Sequence, residues 1–300
     1  MTYIEASNIS KSFPSAAGPR HVLERASLSV ARGEFVSIVG FMGCGKSTLL
    51  NILSGVIRAD TGEIRIDGSP VVGVYGRASI VFQNYSLLPW FSAYENVRLA
   101  VHAAHPEWSR AEQRQQAEHY LALVGLGNAM HRRPNQLSGG MRQRVAIARA
   151  FATEPEVLFL DEPFGALDAL TRANLQQELA RLCSPSGLGR RSAEREGGRP
   201  VTTVMISNNL DEALLLSDRI IPMTPAPRAT LGSPVAVELP RPRSVELLLH
   251  DVEAVRARTH VVESLTEHVH AANEQRAKAR SRTARATAAF VAADSREADV

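Results

Sequence analysis

An α/β fold with a largely parallel sheet is the class this 300-residue sequence predicts. Three short runs point to it first. Phe35–Val39 (FVSIV), Val157–Leu160 (VLFL) and Val201–Ile206 (VTTVMI) are apolar and β-branched almost throughout, the pattern of strands covered on both faces. Between them lie stretches with apolar residues at helical spacing, residues 46–55 and 138–153. Strands that alternate with helices make crossover connections, and crossovers make parallel pairs.

Taken in order, the first 70 residues read as strands and turns. Ile4–Ile9 and Leu28–Val30 are short strands, Gly33-Glu34 marks a turn, and Gly62–Asp67 alternates its side chains. Residues 93–127 switch to helical spacing and are rich in polar groups, so 86–135 reads as a mainly helical insertion. Residues 184–200 (SPSGLGRRSAEREGGRP) have no apolar periodicity and read as an exposed loop. Val245, Leu248, Leu249, Val252 and Val255 recur at helical spacing within 244–270, a helical piece expected to pack back on the core. A basic run at 276–285 carries five positive charges and no acid, and reads as a solvated tail. The expected division is therefore one domain over 1–243 and a C-terminal helical extension over 244–300.

Composition narrows the class. Hydrophobic residues make up 44% and charged residues 22%, which excludes disordered and collagen-like chains. A net charge of +3 is too small a surplus to argue for a nucleic-acid partner. The two cysteines, Cys44 and Cys183, are too few for a disulfide framework, and the nine histidines show no metal-ligand spacing. No apolar run approaches the ~18–20 residues that cross a bilayer, and the first residues lack a leader pattern. The expectation is a cytoplasmic chain whose membrane role, if any, is peripheral.

Gly40-Phe41-Met42-Gly43-Cys44-Gly45-Lys46-Ser47 follows the FVSIV strand and opens a helix. This G-x-x-x-x-G-K-S spacing in that context is a phosphate-binding loop. Gly40, Gly43, Cys44 and Gly45 offer backbone N–H groups that converge on phosphate oxygens, helped by the helix dipole. Lys46 supplies charge to the β- and γ-phosphates, Ser47 a hydroxyl to Mg²⁺, and Thr48 a second hydroxyl at the α-phosphate. The VLFL run ends in Asp161-Glu162. Asp161 is placed to hold Mg²⁺ through water, and Glu162 to polarise an attacking water.

Leu137-Ser138-Gly139-Gly140-Met141-Arg142-Gln143-Arg144 then marks the family. With it the chain resembles the ATP-binding subunits of ABC transporters, over about residues 1–270. The resemblance implies a P-loop NTPase core of RecA type with an antiparallel β subdomain and a helical insertion. It implies ATP and Mg²⁺ as cofactors and head-to-tail pairing with a second ATPase subunit, identical or a paralogue. Ser138, Gly139 and Gly140 would then cover the γ-phosphate held by the partner. Phe13 matches the aromatic that stacks on adenine, and Gln83 the glutamine that senses Mg²⁺ and the attacking water. Gly165-Ala166-Leu167-Asp168 matches the loop that crosses the dimer interface, with Asp168 the contact.

One position departs from the family. Where a histidine contacts the γ-phosphate, Ile206-Ser207-Asn208-Asn209 places Asn208, which donates a hydrogen bond but cannot become cationic. It reads either as a tolerated variant or as the mark of a slow, nucleotide-sensing subunit. The run from Phe82 to Trp90 (FQNYSLLPW) resembles the nitrate, sulfonate and taurine importers, nearest the nitrate/nitrite branch, in which such an Asn also occurs. The implied partners are a transmembrane permease and, indirectly, a periplasmic binding protein. The implied place is the cytoplasmic face of the membrane. Trp90, Phe91, Tyr94 and Val97 are candidates for the permease-docking surface.

Overall fold

The structure is a computed structural model that describes residues 2–16, 18–183 and 201–267. The loop read at 184–200 and the basic run at 276–285 lie outside them. Two sheets organise the chain. In the first, β1 (Thr2–Phe13) pairs antiparallel with β2 (Arg20–Ala31) on one side and β4 (Thr61–Ile66) on the other. The two-residue β5 (Ser69–Pro70) closes its edge. Buried and exposed residues alternate along β2, as expected where one face meets the core and the other meets water.

The second sheet carries the site. Its order is β10 (Val235–Ala236), β9 (Arg219–Met223), β3 (Phe35–Gly40), β8 (Thr202–Ser207), β7 (Val157–Asp161), β6 (Ala78–Val81). All pairs are parallel except β9 with β10. Every residue of β7 and β8 is buried, which is what their unbroken apolar runs demand. The carboxyl ends of β3, β7 and β8 lie side by side. Val39 pairs with Ser207 and Asp161 with Ile206, so three separated sequence motifs emerge at one edge.

The insertion is two helices. α2 (Ala93–Ala104) and α3 (Arg110–Leu123) are separated at His105-Pro106. The helical spacing read over 93–127 is thus carried by two helices; Pro106 lacks the N–H that a continuing helix needs, and so separates them. Each helix opens with a capping box, Ser92 with Glu95 and Ser109 with Glu112. Both pack on α4 (Gly139–Phe151), burying Val97, Tyr120, Leu121 and Val145 in one cluster. Helix α1 (Lys46–Leu53) follows β3. α5 (Ala169–Cys183), α6 (Leu210–Leu216) and strands β6 and β9 complete the core.

The C-terminal piece packs back as expected. α7 (Val245–His250) and a helix over 252–267 bury Leu248, Ala254 and Val261 against Val39, Ala213, Leu214 and Ile220. Arg243 fixes the junction. Its guanidinium donates to the carbonyls of Leu214 and Val237 at 2.9 Å, and to those of Ser217 and Leu239. Burial, with Arg241 nearby, pushes its pKa down to about 10, and the side chain stays charged at neutral pH.

Candidate functional site

The phosphate loop sits where the sequence predicts, between β3 and α1. Gly45 precedes the helix at φ +113°, and a Cβ there would lie 2.8 Å from Val22 Cγ1, so only glycine fits. Lys46 is buried and folds back over the loop, donating to the carbonyls of Gly40 at 2.8 Å and Phe41 at 3.0 Å. These bonds hold its ammonium at the loop mouth. A cavity of about 470 Å³ opens there, lined by Phe13, Gly43, Gly45, Lys46, Ser47, Thr48, Gln83 and Glu162. Phe13 is half-buried at its rim rather than in the core.

Asp161 and Glu162 diverge from one strand end. Asp161 is buried and accepts from Ser47 Oγ at 3.1 Å. Burial pushes its pKa up; the charge of Glu162 adds to this, and the Ser47 bond and Lys46 oppose it. A buried carboxylate beside a hydroxyl, with the Gln83 amide across the cavity, is an all-oxygen donor set of the kind a hard divalent cation takes. Glu162 turns away in the left-handed region at φ +46°. Its Oε1 accepts from Asn208 Nδ2, and Gln83 Nε2 approaches Oε2 at 3.5 Å. Two amides therefore bracket this carboxylate.

Gln83 is exposed, and the loop after it is fixed from α4. Arg149 donates to the carbonyls of Tyr85 at 2.8 Å and Ser86 at 2.6 Å. The Arg142 guanidinium lies 5.5 Å from the centroid of the Tyr85 ring. Sequence reasoning missed Arg149 and Arg142, whose partners lie more than 50 residues away in the chain; a long-range contact of this kind leaves no local signal.

Ser138, Gly139, Gly140 and Asp168 do not line the cavity. Ser138 is exposed and caps its own helix, accepting from the Met141 N–H at 3.2 Å. Gly140 lies against the 165–168 loop: a Cβ on it would sit 3.3 Å from Leu167 Cδ2. Asp168 is exposed and accepts from the Thr171 N–H at 2.9 Å. Of the predicted residues, Phe13, Gly43, Gly45, Lys46, Ser47, Thr48, Gln83 and Glu162 line the cavity, Asp161 and Asn208 bond to Ser47 and Glu162 from behind it, and Ser138, Gly139, Gly140 and Asp168 stand outside it.

Burial adds one fact and corrects one expectation. Cys44 is 1% exposed, and burial raises its thiol pKa. Val97, expected on a docking surface, is fully buried between α2 and its neighbours. Tyr94 packs against the same cluster, while Trp90 is 63% exposed.

Comparison with known proteins identifies the family. Residues 23–165 match the family model described as ABC transporter. A nitrate import ATP-binding protein, NrtD, of Synechococcus elongatus is 48% identical over 257 residues, covering 86% of this chain and 89% of the relative. A bicarbonate transport ATP-binding protein, CmpD, of Synechocystis sp. is 42% identical, covering 88% and 89%. Among solved structures, the dimeric ATP-binding cassette MJ0796 in a post-hydrolysis state bound to ADP and Pi superposes with a TM-score of 0.66. It is 29% identical and covers 79% of this chain and 99% of that one. The chain belongs to the ATP-binding subunits of ABC transporters, and it is an ATP-hydrolysing cassette.

Proposed function

We propose that this ATPase drives import of nitrate or nitrite through a separate membrane permease. The observation that carries the reading is the 48% identity to a nitrate import subunit across 86% of the chain. The FQNYSLLPW run at 82–90 supports it from within the sequence. Bicarbonate is the second reading, favoured by the 42% identity to a bicarbonate transport subunit. A sulfonate or taurine importer is the further alternative carried by the resemblance of 82–90. No helix among the described residues is long and apolar enough to cross a membrane; membership among importer ATP-binding subunits supports a peripheral subunit at the cytoplasmic face. Residues 1–243 then form the ATP-binding domain and 244–300 its extension. Exposed Trp90, in the 86–135 insertion, is the candidate permease contact.

Within the site, the backbone of 43–48 and Lys46 bind the phosphates, and Phe13 stacks on the base. Ser47, Gln83 and Asp161 would hold Mg²⁺, which would supply neutralisation of the phosphate charge. Glu162 takes the proton of the attacking water, positioned between Gln83 and Asn208. Asn208 donates to the carboxylate and to the γ-phosphate. Ser138, Gly139, Gly140 and Asp168 reach the nucleotide of a second ATPase subunit, a reading favoured by their absence from the lining of the chain's own cavity. The intact Glu162 favours an active subunit over a nucleotide sensor.

Deleting the chain in its host and measuring uptake of nitrate, bicarbonate and taurine tests the cargo. Loss of nitrate uptake alone is expected. Loss of bicarbonate or taurine uptake with nitrate uptake intact overturns the nitrate reading.

A further inference from the structure

One buried carboxylate has no part in the roles above. Glu212, in α6, is 7% exposed. Its Oε2 accepts from Ser207 Oγ at 2.7 Å, its Oε1 faces Arg172 Nε at 3.9 Å, and Gln176 hydrogen-bonds to it as well. Ser207 ends β8 and immediately precedes Asn208. Arg172 and Gln176 stand one turn apart on α5, the helix that follows Asp168. Arg172 Nη2 in turn donates to the Leu167 carbonyl at 3.0 Å. A continuous path therefore runs from the end of β8 through Glu212 to the 165–168 loop.

Holding α6 does not require this acid, since Asn209 caps the helix through the Asp211 and Glu212 N–H groups. Burying a charge is costly, and an apolar side chain would fill the space without that cost. The charge has a distinct partner. Among the described residues Arg172 Nε is buried and has no hydrogen-bond partner. At 3.9 Å from Glu212 it is an ion pair that about 1 Å of travel converts to a charge-assisted hydrogen bond.

We propose that Glu212 is a positioning residue for ATP hydrolysis. It ties the strand end that carries Asn208 to the loop that carries Leu167 and Asp168, and so fixes the spacing on the two sides of Glu162. This rests on the roles proposed for Glu162 and Asn208. A slack tie misplaces donors around the attacking water while leaving the phosphate loop untouched.

The test uses the full chain with ATP and Mg²⁺. Glu212→Gln keeps the volume and the acceptor for Ser207 but removes the charge facing Arg172. Its kcat is expected to fall about tenfold, with KM for ATP within about twofold. Arg172→Met is expected to fall similarly, and the double variant no further than either alone. A merely structural acid would instead lower the melting temperature and leave kcat of the folded fraction unchanged. Ser207→Ala cuts the same tie from the β8 end and reads the link even where Glu212→Gln destabilises the fold. Unchanged kcat in Ser207→Ala and Glu212→Gln, or fully multiplicative losses in the double variant, overturns the proposal while the parent turns over ATP. No turnover in the parent overturns the ATPase reading together with it.

Discussion

Replacing Glu162 by glutamine isolates the proton-accepting step from binding and folding. The carboxylate has Asn208 Nδ2 at one oxygen and Gln83 Nε2 3.5 Å from the other. Neither amide can accept a proton at neutral pH, so no neighbour in contact stands in for the lost base. A positioned general base contributes ~10²–10⁴-fold, or about 2.7–5.5 kcal/mol at 1.36 kcal/mol per decade. The fold is expected to change little. Glutamine keeps the size and the same backbone strain at φ +46°, and one of its two polar ends still faces a donor. A stability change of about 0.5–1 kcal/mol covers the lost contact at this half-buried position. The assay is phosphate release at saturating ATP and Mg²⁺, beside equilibrium binding of a fluorescent ATP analogue and a thermal melt. A kcat within tenfold of the parent, with ATP affinity and melting temperature unchanged, refutes the assignment of Glu162 as base.

Three further outcomes follow from other parts of the molecule. Asn208→His is expected to leave kcat within roughly threefold, because Glu162 remains the base; a tenfold rise would show that the amide limits turnover. Gly55→Ala is expected to lower the melting temperature by at least about 5 °C, since its φ is +78° and the new Cβ would lie 2.0 Å from the Gly73 carbonyl oxygen; Gly68→Ala, with open space around it, is the milder control. Burial pushes the Cys183 thiol up to about 12, above its unfolded value near 8.5, so its contribution to stability is complete below pH ~8.5 and is lost as pH rises toward 12. Denaturant midpoints of the parent are therefore expected to fall more steeply between pH 8.5 and 10 than those of Cys183→Ser, and equal slopes would refute that account.

Much of the site is legible because it is local. The phosphate loop, the strand before it and the helix after it are contiguous, and Asp161-Glu162 ends a run that could only be a buried strand. The less legible parts have physical causes. β9 contains Pro222, which argues against a strand, yet β9 pairs parallel with β3, Pro222 standing opposite Val39 and its carbonyl accepting from the Gly232 N–H. α6 is only seven residues long, too short for a helical period to declare itself. The break between α2 and α3 falls at Pro106, which cannot continue a helix. The placement of Val97 turned on which face of α2 meets α4, a tertiary fact. Glu212 and Arg172 find each other across 40 residues, and nothing in either local segment announces the pair.

Arg149 has a mechanical meaning. It clamps the segment following Gln83 onto α4, whose first residues are Gly139 and Gly140. Gln83 faces the chain's own cavity, whereas the start of α4 faces elsewhere. The clamp couples these two parts mechanically: any displacement of the segment after Gln83 is carried into α4, and so into the Gly139-Gly140 end of that helix, without either loop having to reorder.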